Sequence, residues 1–316
     1  MQSSPPSSTQ SAPLVIGTRG SPLALAQARE VRDRLAAAHA LAAERIELEV
    51  IRTTGDIIRD RPLAEAGGKG LFTKEIEEAL IAGAIDLAVH SAKDMPTVLP
   101  DGLAIMAVLP REDPRDVFIS RKAKALRDLP VGAVVGTASL RRQAQVMRLR
   151  RDLRVQSFRG NVETRLRKLD EGIVDATLLA LAGLKRLGRA EAATAVLTID
   201  EFLPAVGQGI VAIEARADDA ATRSALAAIN DDEAMIALAA ERAFLAVLDG
   251  SCRTPIAGHA TISAGQVRFR GLIAKPDGSA AFETSREGST ADAAALGADA
   301  GHELKRRAGA DFFAAV

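Results

Sequence analysis

The strongest restriction on this chain is a twice-repeated alternation of short apolar strands and helices. LVIG, from Leu14 to Gly17, passes through the tight turn TRGS into SPLALAQAREVRDRLAAAHA. Ser21 is a good N-cap there, Pro22 takes the first helical position, and Leu23, Leu25, Ala26 and Val31 are expected near the buried side. IELEVIRTTGD reads as a second strand, the run up to ALIAG as a loop and a Thr-capped helix, and IDLAVH as a third strand. This βαβαβ order specifies a parallel sheet with right-handed crossovers. VGAVVG, GTASLRRQAQVMRLR, LRVQSFRGNVETRLRKLDEG and VDATLLALAGLKRLG repeat the design.

The apolar strand in FLPAVGQGIVAIEA comes after the second unit is complete, so the chain is expected to cross back and finish the first sheet. The first crossing is placed at the Pro-rich polar junction of LAIMAVLPREDPRDVFIS. Two α/β lobes joined by two crossings form a hinged cleft, the architecture of periplasmic-type binding proteins. The amphipathic DDEAMIALAAERAFLAVLDG, the alternating VRFRGLIA and a final Ala-rich helix read as a small α+β third domain. The expected division is 1–12 as a disordered leader, 13–110 with 208–229 as domain 1, 111–207 as domain 2 and 230–316 as domain 3.

The chemistry-bearing residues fall where strands end. IDLAVH runs out into SAKDMP, placing Lys93 and Asp94 at the carboxyl edge of a sheet, where open α/β sheets bind ligands. Adjacent residues of a strand-like segment point opposite ways, so the two cannot both pack into a core. Asp94 is the candidate catalytic group. Arg19 and Ser21 lie beside a helix N-terminus, a natural place for a carboxylate or phosphate. Thr137, Ser139, Arg141 and Arg142 occupy a second helix start and make an anion site, and the Arg159-Gly160-Asn161 turn followed by Arg165 repeats it. Between Arg141 and Lys168 nine Arg and one Lys face only Asp152 and Glu163, a local balance of +8 in a chain of formal charge +0. Something anionic is held here, while Arg148, Arg150, Arg151 and Arg167 read as solvated helix-face residues. Gly67-Gly68-Lys69-Gly70 lacks P-loop spacing and reads as a flexible lid carrying Lys69.

Composition excludes several classes. The 41 basic and 41 acidic side chains cancel, and Trp and Tyr are absent, which argues against a nucleic-acid surface. No run of eighteen apolar residues exists, the leading segment has no signal-peptide pattern, and a cytoplasmic protein is expected. The four histidines are scattered without metal-ligand spacing. Cys252 is the sole cysteine, so no internal disulfide forms. It is either a packed small hydrophobe or, in the polar loop DGSCRTPIAG with Arg253 beside it, a nucleophilic or covalently modified thiol.

Taken in order, TRGSPLAL, GGKGLFTKE, AVHSAKDMP, REDPRD, GTASLRRQ, RGNVETRL, LAGLKRLG, LPAVGQG and the Cys252 loop resemble the porphobilinogen deaminase (hydroxymethylbilane synthase) family from Leu14 onward. The resemblance implies two lobes like type II periplasmic binding proteins and a third domain bearing the cysteine. It implies stepwise head-to-tail condensation of four porphobilinogen molecules into a linear tetrapyrrole, with release of ammonia, in haem and chlorophyll biosynthesis. A dipyrromethane cofactor, one per chain, is implied on Cys252 through a thioether. Lys93, Ser91, Thr137, Ser139, Arg141, Arg142, Arg159, Gly160 and Arg165 are implied around the cofactor. Arg19, Ser21, Arg159, Arg165, Arg186, Gln208 and Lys69 are implied at the substrate, and a monomer is implied as well.

The implied chemistry accounts for these residue types. Every ring carries two carboxylates, which bidentate Arg neutralises best. Loss of ammonia leaves an azafulvenium-like cation, and Asp94 against the pyrrole N–H stabilises it and passes protons between steps. A covalent tether keeps the growing chain in place between additions. Three places depart from the family pattern. Ser251 stands where Gly usually precedes the cysteine, Arg253-Thr254 follow it where Val before Pro is more familiar, and Glu65 stands where some members carry Lys. A non-catalytic solute-binding or effector-sensing module of the same fold is the alternative, disfavoured because it explains neither Cys252 nor the Arg density. A nucleic-acid binder is weaker still.

Overall fold

The computed structural model describes residues 14–57, 70–248, 254–309 and 312. The chain opens with β1 (Leu14–Thr18) and α1 (Pro22–Ala38), then β2 (Ile46–Val50), the single turn α2 (Thr54–Ile57), α3 (Lys74–Ile81), β3 (Leu87–Ser91) and β4 (Leu103–Val108). Ser21 caps α1, its hydroxyl accepting from the Ala24 N–H at 3.2 Å. The buried stripe of α1 is Ala24, Gln27, Ala28, Val31, Leu35 and Ala36, so of the residues expected there Val31 alone is buried. Leu23, Leu25 and Ala26 are only half-buried. The small alanines let the helix lie close on the sheet, and Leu23 faces the second lobe instead, with Gly183 against it. Thr73 holds the N-cap position of α3, but its hydroxyl makes no cap bond.

The second unit runs β5 (Asp116–Ser120), β6 (Val134–Gly136), α4 (Leu140–Leu149), β7 (Arg154–Gln156), α5 (Val162–Asp170), β8 (Ala176–Ala180), α6 (Leu181–Arg186) and β9 (Ala195–Val196). Then come β10 (Val211–Arg216), α7 (Ala220–Ala227) and α8 (Asp232–Val247), followed by β11 (Ile256–Ser263), β12 (Gln266–Ala274), β13 (Ala281–Ser289) and α9 (Ala293–Ala308).

Among the described residues the strands form two five-stranded sheets, β2-β1-β3-β10-β4 and β7-β6-β8-β5-β9, and one three-stranded sheet, β11-β12-β13. β1 is parallel to β2 and β3, and β10 lies antiparallel between β3 and β4. The second sheet repeats this: β6 is parallel to β7 and β8, and β5 lies antiparallel between β8 and β9. In each lobe the antiparallel strand is the one that has just arrived from the other lobe. The late apolar strand therefore does complete the first sheet.

The two crossings run side by side. Leu109 N donates to Val211 O at 3.0 Å and Glu112 N to Gly209 O at 3.2 Å. Gly209 adopts φ +93°, and a Cβ there would sit 2.2 Å from the Glu112 carbonyl oxygen, so only glycine permits the approach. Arg111 fastens the crossing to α8: its Nη1 donates to Glu241 Oε1 at 2.5 Å. The third sheet, antiparallel throughout, packs with α8 and α9 around Phe244 and Phe269, whose ring centroids are 4.9 Å apart. This is the expected pair of α/β lobes with a small α+β unit after them. No helix among the described residues is long and apolar enough to cross a membrane.

Candidate active site

β3 carries the first group of candidate residues to the edge of its sheet. Leu87 to Val89 are buried, and polar side chains follow as the strand ends. Residues 92–94 form one 3₁₀ turn, so the strand-like alternation expected for Lys93 and Asp94 does not apply. Met95 and Ala92 pack into the core below, Asp94 is exposed, and Lys93 turns toward Gln208, its Nζ 3.5 Å from Oε1. Asp94 shares a small cavity with Arg19, Ser21, Gln27, Phe72, and Ser91. Gln27 Nε2 donates to Ser91 Oγ at 2.9 Å. Arg19 is held by Asp56, Nε to Oδ2 at 3.2 Å, and lies 4.2 Å over the Phe72 ring. Burial alone would raise the Asp56 carboxyl, but hydrogen bonds and charge from Arg19, with Thr53, pull it below the usual range.

The second group stands at the start of α4. Ser139 caps the helix, and Thr137 Oγ1 accepts from the Ser139 N–H at 3.1 Å. Each hydroxyl proton remains available to donate to a ligand. Arg141 and Arg142 turn inward onto the fully buried Asp116 at the first residue of β5. Arg141 Nη2 donates to Oδ2 at 2.7 Å, while Arg142 Nη2 and Nε donate to Oδ1 at 2.6 and 3.1 Å. Arg141 Nη1 also reaches Leu203 O at 2.7 Å, and Arg142 Nη1 reaches Leu178 O at 3.0 Å. Burial would raise the Asp116 carboxyl, yet the two guanidinium groups win and hold it at about 2. Gln208 joins the same carboxylate, Nε2 to Oδ1 at 3.1 Å and to Pro114 O at 2.7 Å.

A third cluster faces these two. Asn161 caps α5, Arg165 Nε donates to Gly160 O at 2.8 Å, and Lys168 reaches Arg159 O at 3.4 Å. Gly160 has φ +128°. Burial lowers Arg165 to about 10, reinforced by Arg142 and Arg159 and opposed by Asp94. Burial likewise lowers Lys93 to about 8, with Asp94 and Asp116 opposing and Arg142 and Arg141 reinforcing. Lys93, Arg141, Arg142, Arg159 and Arg165 thus act on one another across the lobes, with Asp94 and Asp116 opposing them. Arg141 Nε is buried with no hydrogen-bond partner.

Arg186 reaches across the lobes, Nε to Glu30 Oε2 at 3.3 Å and Nη2 to Gly209 O at 3.2 Å. Of the arginines read as solvated helix-face residues, Arg148 on α4 pairs with Glu283 and Arg167 on α5 with Glu171 at 2.7 Å, whereas Arg150 and Arg151 follow the end of α4, Arg150 pairing with Asp152 at 2.5 Å; Arg154, on β7, reaches Gly132 O at 3.0 Å. Arg151 is exposed. Lys69, Glu65, Ser251 and Cys252 lie outside the described residues. Sequence reasoning missed Asp56, Phe72, Glu30 and above all Asp116. The signals for Asp116 were an acid at the head of an otherwise apolar strand, DVFIS, and its place at the end of the motif REDPRD.

Comparison with known proteins decides the family. Residues 14–224 match the model described as "Porphobilinogen deaminase, dipyromethane cofactor binding domain", and 235–306 match "Porphobilinogen deaminase, C-terminal domain". The chain belongs to the porphobilinogen deaminase family. The porphobilinogen deaminase of Nitrobacter winogradskyi is 66% identical over 298 residues, covering 94% of each chain. The chloroplastic porphobilinogen deaminase of Oryza sativa is 57% identical, covering 94% of this chain and 85% of its own. Among solved structures the methionine-binding protein MetQ aligns with 70% of this chain and 91% of its own, at 15% identity and a TM-score of 0.44. The porphobilinogen deaminase relatives support the enzymatic reading rather than the non-catalytic module.

The residues fit the dipyrromethane cofactor of porphobilinogen deaminase. Acetate and propionate side chains need guanidinium, ammonium and hydroxyl donors, and Lys93, Arg142, Arg159 and Arg165 give the site a cationic excess.

Proposed function

We propose that Asp94 is the catalytic carboxylate of this chain and that cations of both lobes clamp the acetate and propionate groups around it. The reaction is that of its family. Four porphobilinogen molecules are condensed head to tail into hydroxymethylbilane, one ammonia leaving at each step, by a transferase of tetrapyrrole biosynthesis that carries dipyrromethane. The observation that carries the assignment is the placement of exposed Asp94 within electrostatic reach of Lys93 and Arg165, cations drawn from both lobes, and in one cavity with Arg19 and Ser21.

In this reading Arg141, Arg142, Thr137, Ser139, Lys93, Ser91, Arg159, Gly160 and Arg165 hold the cofactor, whose thioether is on Cys252. When bound, that group supplies the primer to which rings are added. Arg19, Ser21, Arg186 and Gln208, shared with Arg159 and Arg165 and joined by Lys69, orient the incoming ring by its carboxylates. Asp94 accepts the pyrrole N–H, stabilises the positive charge left as ammonia departs, and takes the proton displaced from the ring carbon that forms the new bond. Arg19, already paired and stacked, exchanges Asp56 for a substrate carboxylate at small electrostatic cost. Lys93, lowered to about 8 by burial, is mostly charged at neutral pH, and an arriving carboxylate strengthens that charge.

The lobes are taken as residues 13–110 with 208–229 and residues 111–207, with 230–316 as the cysteine-bearing domain. The chain is read as a cytoplasmic monomer acting on a small molecule, with neither nucleic acid nor membrane as partner. Its balanced charge and lack of Trp and Tyr favour this. The test is the denatured intact mass of freshly made wild-type protein and of Cys252→Ser. An excess equal to two linked pyrrole units in wild type alone is expected, and an unmodified wild-type mass from cells able to make porphobilinogen would refute the reading.

A further inference from the structure

Asp116 touches no expected ligand, yet it gathers more of the site than any other residue. It is fully buried at the first residue of β5, where the first crossing enters the second lobe. Its two oxygens accept from Arg141, from Arg142 twice, and from Gln208. Gln208 belongs to the returning crossing, and its Nε2 also grips Pro114 O in the first crossing at 2.7 Å. Its backbone oxygen accepts from Arg111 Nε at 2.9 Å, and its Oε1 faces Lys93 Nζ at 3.5 Å. One carboxylate thus joins both crossings, two cations of the second lobe and, through Gln208, the lysine next to Asp94 in the first.

The geometry points to Asp116 as a positioning residue that ties the hinge to the anion clamp, fixing the aim of Arg141, Arg142 and Lys93 toward the bound carboxylates. The inference rests on the proposed function and deepens it. A guanidinium has five N–H groups in a rigid fork, so fixing one of Arg141's and two of Arg142's on one buried carboxylate, with a further N–H of each on a backbone oxygen, determines where the others point. Because both crossings contribute to the same hub, a movement of one lobe against the other must change these aims. The clamp and the lobe angle are therefore coupled rather than independent. Lys93 faces Asp94, Asp116, Arg141 and Arg142, and both acids support its charge.

The test uses the full chain as purified with its cofactor. Asp116→Asn keeps the shape and the acceptor from one oxygen but removes the charge. It is expected to raise the KM for porphobilinogen about tenfold or more and to lower the fraction of chains bearing the two-pyrrole mass. It is also expected to move the basic limb of kcat/KM to lower pH, because a support of the Lys93 charge is gone. A purely structural aspartate would lower thermal stability and leave that limb in place. Asp116→Glu restores the charge with displaced oxygens, so the limb is expected to return while KM stays raised. It serves as the reading variant if Asp116→Asn does not fold. A folded Asn variant with wild-type KM and pH limb, or a folded Glu variant with wild-type KM, overturns the inference. Wild-type protein that itself yields neither product nor excess mass sinks the proposed function instead, so the two failures are told apart.

Discussion

Two helix starts in this molecule share one local design and are used in opposite ways. At α1 and at α4 a strand ends, a serine caps the helix, and arginine lies within a few residues. Arg19 comes before its cap. It rests on Phe72 and pairs with Asp56, with 21% of its side chain exposed. Arg141 and Arg142 come after theirs and are driven inward onto Asp116, with 5% and 7% exposed. The first arginine sits at a partly wet rim where an ion pair is cheap to exchange. The second pair is locked into a dry hub where losing one partner leaves a buried charge. Position relative to the cap separates an exchangeable arginine from a locked pair.

The sharpest way to test the comparison begins with Asp94, which shares a cavity with the α1 start. Asp94→Ala is expected to leave folding intact, because Asp94 is exposed and has no packed side chain to lose. Turnover is expected to fall about 10²- to 10⁴-fold, the usual range for a positioned acid–base group. Equal melting temperatures with collapsed single-turnover rates would bear this out, and ordinary turnover would remove Asp94 from its role.

Next in size is the contrast between the arginines themselves. Arg142→Ala removes the charged partner of Asp116 Oδ1, leaving only Gln208 there, and is expected to cost about 3–5 kcal/mol of stability, along with cofactor loading. Arg19→Ala is expected to cost about 0–1 kcal/mol and to act mainly on KM. Urea unfolding of the two variants measures this directly, and equal losses would erase the distinction between rim and hub.

The smallest effect is read from pH. Asp116 is depressed from 3.8 to about 2 in the folded chain, so its contribution to stability is complete above about pH 4 and lost as pH falls toward 2. Lys93 behaves in the other sense. Its folded value of about 8 lies below the ordinary 10.5, so between these values the unfolded chain holds more protons and this group's contribution to stability grows with pH. Anion clamping by Lys93 weakens over that same interval. Porphobilinogen affinity is therefore expected to fall above pH 8 without a Lys93-linked loss of melting temperature. A parallel decline in Lys93→Gln, normalised to that variant's own neutral-pH affinity, would show that another group controls the limb.

Much of this protein was written in local sequence. Strand and helix order, the Ser21 cap, the return of VAIEA to the first sheet and the Arg-rich segment all follow from periodicity, capping chemistry and charge, which act over a few residues. The 3₁₀ turn under Lys93 and Asp94 did not follow, because a polar run after a strand has no periodicity to read. Nor did the partners of the arginines. Arg141 and Arg148 are both arginines on one short helix, yet one meets Asp116 across 25 residues of chain and the other meets Glu283 across 135. Which face of α4 is buried, and which acid waits there, is decided by how two sheets and two crossings pack. Electrostatic energy depends on distance and desolvation in space, and neither quantity is encoded in spacing along the chain.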